Sequence, residues 1–205
     1  MTSRMRLSLR RLLWGLLVVA LAAVAVATIA QRTRPPLPVL GQVPDFTLTN
    51  RDGRAIGLGD LAGTPWVADF VFTRCGASCP MMTSRMARMD RELPSEPPVH
   101  LVSFTVDPVH DIPSVLARYA TAAGATPRWL FLTGDGGQIA ELSRQGFKLG
   151  VDSPSGPAAA GEAVLHSTRF VLVDGRGRIR RYYDAFDRSG LAELPRDLEA
   201  VTREP

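Results

Sequence analysis

Two cysteines four residues apart are the residues of this 205-residue sequence best suited to chemistry. Cys75 and Cys79 lie in the segment Phe-Thr-Arg-Cys-Gly-Ala-Ser-Cys-Pro, directly after an apolar run. If both belong to the first turn of a helix, they share one face, with Cβ atoms about 5–6 Å apart. Two thiolates at that separation can hold one metal ion, or can form a disulfide after a small adjustment. A plain structural disulfide, or two buried small side chains, would explain the same spacing.

The neighbouring elements place the cysteine pair at a strand-to-helix junction. Trp66 to Thr73 has the length and composition of a buried strand. Residues 79–93 carry apolar side chains at helical spacing, namely Met82, Met86, Met89 and Leu93. The methionines are most simply core residues, although Met81 and Met82 could offer thioether sulfurs. Because a helix N-terminus favours negative charge, we expect a lowered thiol pKa, to which Arg74 would contribute if its side chain turns inward.

A stable metal site needs a third ligand, and an imidazole beside two thiolates suits copper. His166 heads an apolar strand after the loop 151–163, so its side chain can reach the cysteine end of a sheet, or can simply be solvated. His110 follows a strand that ends near Asp107, on the cysteine side, and is an auxiliary candidate. His100 begins that strand, at the opposite end. Asp107 could orient a ligand or cap a turn.

The order of the remaining predicted elements defines the fold. An N-terminal β-hairpin is predicted over Asp45–Thr49 and Ala55–Leu58, with Asp-Gly in its turn. Further strands are predicted over His100–Val106, Trp129–Leu132, Thr168–Val173 and Arg178–Tyr183. Further helices are predicted over Ser114–Ala123, Gln138–Gln145 and Leu191–Val201, the last interrupted by Pro195. Alternating strands and helices predict parallel β-α-β units with a closing antiparallel hairpin. This order of elements predicts an α/β, thioredoxin-like fold with an N-terminal β-hairpin extension.

An apolar N-terminal segment predicts a membrane anchor. Leu12 to Ala30 contains no charge, and as a helix it would span about 28 Å, close to the thickness of a bilayer core. Four arginines precede it, so the N-terminus should stay cytoplasmic. We predict a basic cytoplasmic segment 1–11, a transmembrane helix 12–30, a proline-rich linker 31–42 and a domain over 43–205. A cleaved signal peptide is the alternative, and both readings place the domain outside the cytoplasm.

The charge distribution excludes a nucleic-acid partner. Six of the 24 basic residues lie in residues 1–34, which contain no acid, so the rest of the chain has 18 bases against 20 acids. The basicity therefore belongs to the N-terminal segment, and no basic motif marks the predicted domain. At 45% hydrophobic and 21% charged, the whole chain has the composition of a globular protein, and the predicted domain is long enough to bury a core without disulfides. Asp174-Gly175-Arg176-Gly177 is a turn and not a phosphate loop, because no helix pattern follows it.

Three motifs in a fixed order resemble the SCO/SenC family of membrane-anchored copper proteins. They are Cys-x₃-Cys-Pro at Cys75, Asp-Pro at Asp107 and His-Ser at His166, within a resemblance from about Val43 to Tyr183. The resemblance implies a thioredoxin fold that binds Cu(I) or Cu(II) through Cys75, Cys79 and His166. It also implies help in metallating the dinuclear copper centre of cytochrome c oxidase, either by delivering copper or by keeping that centre's cysteines reduced.

The implied partner is the copper-bearing subunit of cytochrome c oxidase or another periplasmic copper or thiol protein, met from an inner-membrane anchor. One departure is His110, since the family often has an arginine after Asp-Pro-x. The resemblance does not imply a classical enzyme, but thiol-disulfide oxidoreductase activity is open. A periplasmic thiol-disulfide reductase without a metal would use Cys75 and Cys79 as its redox pair. A peroxiredoxin-like peroxidase is disfavoured, because its Pro-x₃-[Thr/Ser]-x₂-Cys segment is absent and Pro65 lies ten residues before Cys75.

Overall fold

The computed structural model describes residues 11, 13–24, 35–76, 78–149 and 167–204, in two compact units, Met1–Pro36 and Leu37–Pro205. Residues 13–24 of the first unit are helical, with exposed apolar side chains such as Leu13 and Trp14. Within the described ranges, no helix combines the length and the apolar character needed to cross a membrane. The predicted anchor 12–30 extends outside the described residues, so the transmembrane helix stays a prediction.

The second unit is built on one mixed sheet. Its strands are β1 Gly41–Gln42, β2 Thr47–Asn50, β3 Ala55–Gly57, β4 Trp66–Val71, β5 His100–Thr105, β6 Trp129–Thr133, β7 Arg169–Val173 and β8 Arg178–Asp184. Across the sheet they run β1-β8-β7-β4-β5-β6-β2-β3. The β4–β5 and β5–β6 pairs are parallel and the other neighbours are antiparallel. The predicted parallel centre, the N-terminal hairpin β2–β3 and the closing hairpin β7–β8 are confirmed.

Helices cover both faces of this sheet. They are α1 Cys79–Glu92, α2 Pro113–Ala123, α3 Gly136–Glu141, α4 Arg188–Leu191 and α5 Leu194–Thr202, with a 3-10 turn at Leu58–Leu61 and a π turn at Leu142–Gly146. Side chains alternate along each strand, so the faces bury separate cores. On β4, Val67 and Val71 pack toward α1, α2 and α5. Ala68 and Phe70 pack toward α3, where Phe70 stacks on Phe104 with ring centroids 5.0 Å apart.

Two predicted helices are divided differently in the structure. The helix predicted over Gln138–Gln145 is α3 followed by the π turn, a change that the spacing of apolar residues does not signal. The helix predicted over Leu191–Val201 is two helices, α4 and α5. Pro195 lies in the first turn of α5, where a missing N–H removes no intrahelical hydrogen bond. The predicted interruption is therefore present, but it lies at Ala192 and Glu193, just before the helix whose first turn contains Pro195.

A buried arginine holds the two ends of the second unit against β8. The Arg180 guanidinium pairs with Asp174 at 2.9 Å and with Glu204 at 2.5 Å. It also donates to the backbone carbonyls of Leu37 and Pro38. Asp174 accepts from the N–H groups of Arg176 and Arg178, both at 3.0 Å, which confirms the predicted turn between β7 and β8. These contacts close the frame around the central strands that carry the thiol pair.

Candidate metal centre

The two cysteines meet at the carboxyl end of β4, but only one of them is helical. Cys75 lies in the loop after β4, where its N–H donates to the Phe72 carbonyl at 3.2 Å. Cys79 is the first residue of α1, and Pro80 occupies the helix start as its missing donor allows. Neither cysteine forms a disulfide, and both are buried, 8% and 3% exposed. A hydrogen bond joins the two thiols. The loop therefore achieves the proximity that the sequence predicted from a shared helical turn.

The predicted lowering of the thiol pKa is wrong for Cys79. Burial raises the pKa of Cys79 to about 12, and the hydrogen bond with Cys75 acts in the same direction. A hydrogen bond with the backbone of Phe72 lowers it without offsetting the burial. The cost of removing a thiolate from water outweighs the favourable field of the helix N-terminus here. In the metal-free protein this thiol is protonated at neutral pH.

A buried carboxylate anchors the loop that carries Cys75. Asp111 accepts hydrogen bonds from the Thr73 N–H at 3.0 Å and the Thr73 hydroxyl at 2.5 Å. It also accepts from the Thr105 hydroxyl at 2.6 Å. Thr73 follows β4 and Thr105 ends β5, so one side chain ties together the ends of both central strands. This also explains why β4 ends at Val71 and not at Thr73, since the Thr73 N–H turns to Asp111.

Asparagine at position 111 is expected to destabilise the domain by about 2 kcal/mol, because its NH₂ group would face donors that now share two acceptor oxygens. Urea unfolding of the Asp111→Asn variant beside the wild type measures this. Alkylation of the buried thiols should also become faster at urea concentrations well below the unfolding transition. Asp135→Asn, at the exposed N-cap of α3, is the matched control and should leave the alkylation rate unchanged. An Asp111→Asn variant with wild-type stability and wild-type thiol protection would contradict the anchoring role.

An ion pair bridges the cysteine loop and the loop after β5. Arg74 contacts Asp107 at 2.5 Å, and the Arg74 side chain is 61% exposed. Arg74 therefore turns to Asp107, where the sequence had left open an inward orientation toward the thiols. Because the arginine of this pair is largely exposed to water, the pair contributes about 1 kcal/mol or less to stability. Asp107 also donates its own N–H to the Thr105 hydroxyl at 3.0 Å, so it both ends the strand and holds Arg74.

The two histidines that the structure describes lie at opposite ends of β5. His100 pairs with Trp66 at the start of β5, the end opposite the cysteines, as predicted. His110 is exposed in the turn after β5, on the cysteine side, with its N–H donating to the Asp107 carbonyl at 3.1 Å. His166 lies outside the described residues, so its role stays a prediction. Within the described part of the chain, no cluster of three or more His, Cys, Asp or Glu side chains could hold a metal ion.

Two methionines of α1 lie in the core beneath the thiol pair. Met82 and Met86 are fully buried and pack with Val67, Val71 and both cysteines on one face of the sheet. This confirms the interpretation of the methionine stripe of α1 as a packing surface.

A buried acid that the sequence did not predict as part of the site lies below the thiols. Asp69 lies in the middle of β4, fully buried, and within the described residues neither of its carboxyl oxygens accepts a hydrogen bond. Burial raises the pKa of Asp69 to about 7. The hydroxyl of Ser103, its partner in the β4–β5 register, offsets part of this without reaching hydrogen-bond geometry, and it also accepts from the Trp129 indole at 2.9 Å. The available signal was one charged residue within an otherwise apolar strand.

The donor set fits two kinds of chemistry. Two adjacent sulfur atoms are soft ligands of the type that Cu(I) prefers, and each must lose its proton to bind a metal. The same two atoms can lose two electrons and two protons to form a disulfide. A central parallel strand that leads into a thiol-bearing loop and helix defines a thioredoxin-like thiol protein.

The chain belongs to the SCO1/SenC family, whose model matches residues 40–201. It is 32% identical over 168 residues to the SCO1 protein homolog of Bacillus subtilis, covering 80% of this chain and 85% of that protein. It spans about half the length of the mitochondrial SCO2 relatives from Bos taurus and Homo sapiens that it also matches.

Solved structures share the fold. The structure of BsSco, described as a member of the Sco family of cytochrome c oxidase assembly proteins with a disulfide switch, is 31% identical. It matches with a TM-score of 0.71 over 83% of this chain and 100% of that one. Yeast Sco1 with copper bound matches with a TM-score of 0.62 over 80% of this chain and 91% of that one. At 22% identity, the yeast protein supports the fold alone.

Proposed function

We propose that this protein binds one copper ion and assists assembly of the dinuclear copper centre of cytochrome c oxidase. The observation that carries the proposal is a pair of reduced, buried, mutually hydrogen-bonded thiols at the carboxyl end of a central strand. The ligands are Cys75, Cys79 and His166. Membership of the SCO1/SenC family supports this assignment, as does the description of BsSco as a cytochrome c oxidase assembly protein.

The described residues have defined tasks in copper binding. Burial keeps Cys79 protonated until a metal displaces its proton, so the site binds copper and releases protons together. Asp111 holds the loop of Cys75 in place through Thr73, so the ligand geometry needs little reorganisation. Cu(I) is a soft Lewis acid, which two sulfur ligands and one imidazole would suit. Because His166 follows a loop in the sequence, we propose that it is the ligand that exchanges when copper passes to a partner.

The same thiols can act as a reductant for the partner. In that reaction the Cys75 and Cys79 thiols form a disulfide, while a disulfide in the partner receives the two electrons and two protons. Oxidation removes both sulfur ligands, so copper binding and the disulfide exclude each other. The partner proposed is the copper-bearing subunit of the oxidase or another periplasmic copper or thiol protein. We place the domain in the periplasm, held at the inner membrane by residues 12–30.

An anaerobic Cu(I) titration of the full 205-residue chain against a chromophoric chelator tests the function. We expect one tightly bound copper per reduced chain and none after the cysteines are oxidised to a disulfide. The His166→Ala variant should bind more weakly, while the His100→Ala variant, at the far end of β5, is the matched control. Wild-type affinity in the His166→Ala variant would contradict the three-ligand assignment.

The second candidate is a thiol-disulfide reductase without a metal, which the adjacent thiols also favour. It predicts that the reduced chain reduces a disulfide substrate and gains no copper in the titration. That result would replace the copper proposal.

A further inference from the structure

A groove with a positive rim runs along α1. Its volume is about 640 Å³, and its walls are α1 on one side and the C-terminal helices α4 and α5 on the other. Apolar side chains line it, including Met81, Met89, Leu93, Leu191 and Leu194. Four arginines also line it, together with a single acid, Glu92: they are Arg85, Arg88, Arg91 and Arg188. We call this feature the α1 groove.

The positive charge of the α1 groove is a local excess. Arg88 is paired with Glu92 at 2.7 Å. Among the described residues, no acid forms an ion pair with Arg85, Arg91 or Arg188. Beyond residue 34 the chain has more acids than bases, so overall composition does not explain a run of arginines around one groove. The arrangement therefore favours an occupant that brings negative charge.

The α1 groove leads toward the thiol pair. Cys79 begins α1, and Met81, two residues later, is a lining residue. Arg85 and Arg88 follow at the spacing that places side chains on one helical face. Arg188 reaches the groove from the opposite wall, on α4. A segment lying between the two walls would thus be contacted from both sides, with one end near the cysteine-bearing start of the helix.

We propose that the α1 groove docks a partner protein through a segment that carries both acidic and apolar side chains. Guanidinium groups on both walls can each bind a carboxylate through bidentate hydrogen bonds, which would fix the orientation of the segment. The apolar floor would bury the other face of the segment, as in helix-in-groove recognition. A groove recessed between two walls fits a protein segment better than a bilayer surface. Only the purpose of docking, delivery of the partner's site to Cys79, rests on the proposed function.

Binding of a labelled synthetic peptide to the full chain tests the docking site. The probe is a helical peptide with glutamate on one face and leucine on the other, measured beside the same peptide with glutamine for glutamate. The Arg85→Glu/Arg188→Glu variant should bind the acidic peptide at least about tenfold more weakly than the wild type does. The glutamine peptide should bind weakly to every chain. Raising the salt concentration should weaken only the acidic peptide's binding.

The matched control reverses two arginines outside the groove. Arg54 and Arg203 have side chains 71% and 74% exposed and line no part of the groove, so Arg54→Glu/Arg203→Glu makes the same change in net charge. This control should keep the wild-type peptide affinity. Equal loss in both double variants, or no binding by the wild type, would overturn the proposal. Binding of phosphatidylglycerol vesicles that only the groove variant loses, without peptide binding, would also overturn it and assign the groove to a lipid surface.

A copper titration of the same variants separates the docking site from the proposed function. The groove variant should bind Cu(I) like the wild type, since no lining residue is a proposed ligand. A wild-type chain that binds the acidic peptide but no copper would support docking and contradict the copper proposal. Lost copper binding in the groove variant, with wild-type stability, would overturn the assignment of two separate sites.

Discussion

Serine at position 75 or 79 is expected to lower the affinity for Cu(I) by more than about 100-fold. This loss exceeds the loss that follows when a residue that only supports a metal ligand is replaced. A serine hydroxyl has nearly the shape of the thiol that it replaces, but it is a harder donor and does not lose its proton at neutral pH. Cys79 is buried and touches its partner thiol, so the space around it is fixed. Competition for Cu(I) with a chromophoric chelator under anaerobic conditions measures the loss.

The matched control removes a different sulfur from the same region. Met82 is fully buried in the cluster that contains both cysteines, and Met82→Leu conserves volume. We expect this variant to keep the copper affinity of the wild type, which would exclude a thioether ligand at that position. Wild-type affinity in the Cys75→Ser or the Cys79→Ser chain would show that copper is held elsewhere.

Asparagine at position 69 is expected to change the pH dependence of stability in the reduced, metal-free protein. The pKa of Asp69 is about 7 in the folded protein against an ordinary value of 3.8, because burial disfavours the ionised form. Between these two values the folded state binds more protons than the unfolded state, so stability falls as the pH rises. The Asp69→Asn variant has no such group. Its stability relative to the wild type should rise by about 2–3 kcal/mol between pH 5 and pH 8.

Urea unfolding of both chains at several pH values measures this difference. The neighbouring Cys79 and Tyr119 do not interfere, because burial raises the pKa of both groups and keeps them neutral up to pH 8. Asp52→Asn is the matched control: the hydrogen bond with Arg54 lowers the pKa of that exposed carboxyl, so the variant adds no change between pH 5 and pH 8. A constant difference between Asp69→Asn and wild type across this range would mean that Asp69 does not titrate there.

Elements with a clear apolar period were predictable from sequence. The buried strand β4, the methionine stripe of α1 and the turn at Asp174 all have local signals, and each lies close to where the pattern placed it. The ends of elements depend on contacts distant in sequence. Thr73 leaves the strand because its donors turn to Asp111, and nothing in the local sequence identifies that acceptor.

The cysteine residues of the site were predictable from the sequence, but the direction in which their surroundings shift pKa values was not. The spacing of Cys75 and Cys79 indicated two neighbouring thiols, which the fold confirms. The pKa of Cys79 is raised because the thiol is buried, whereas the helix N-terminus alone would predict a lowered pKa. Asp69 escaped notice because a single acid in an apolar strand has no motif, and its unpaired state follows only from the packing around it.

X-ray absorption at the copper edge of the Cu(I)-loaded full chain tests the central claim most directly. The proposed site predicts two sulfur ligands and one nitrogen ligand in the wild type. It predicts one sulfur fewer in Cys75→Ser and Cys79→Ser at copper concentrations that still load them, and the loss of the nitrogen in His166→Ala. A coordination sphere without sulfur, or one that neither cysteine variant changes, would contradict the assignment of copper to this thiol pair.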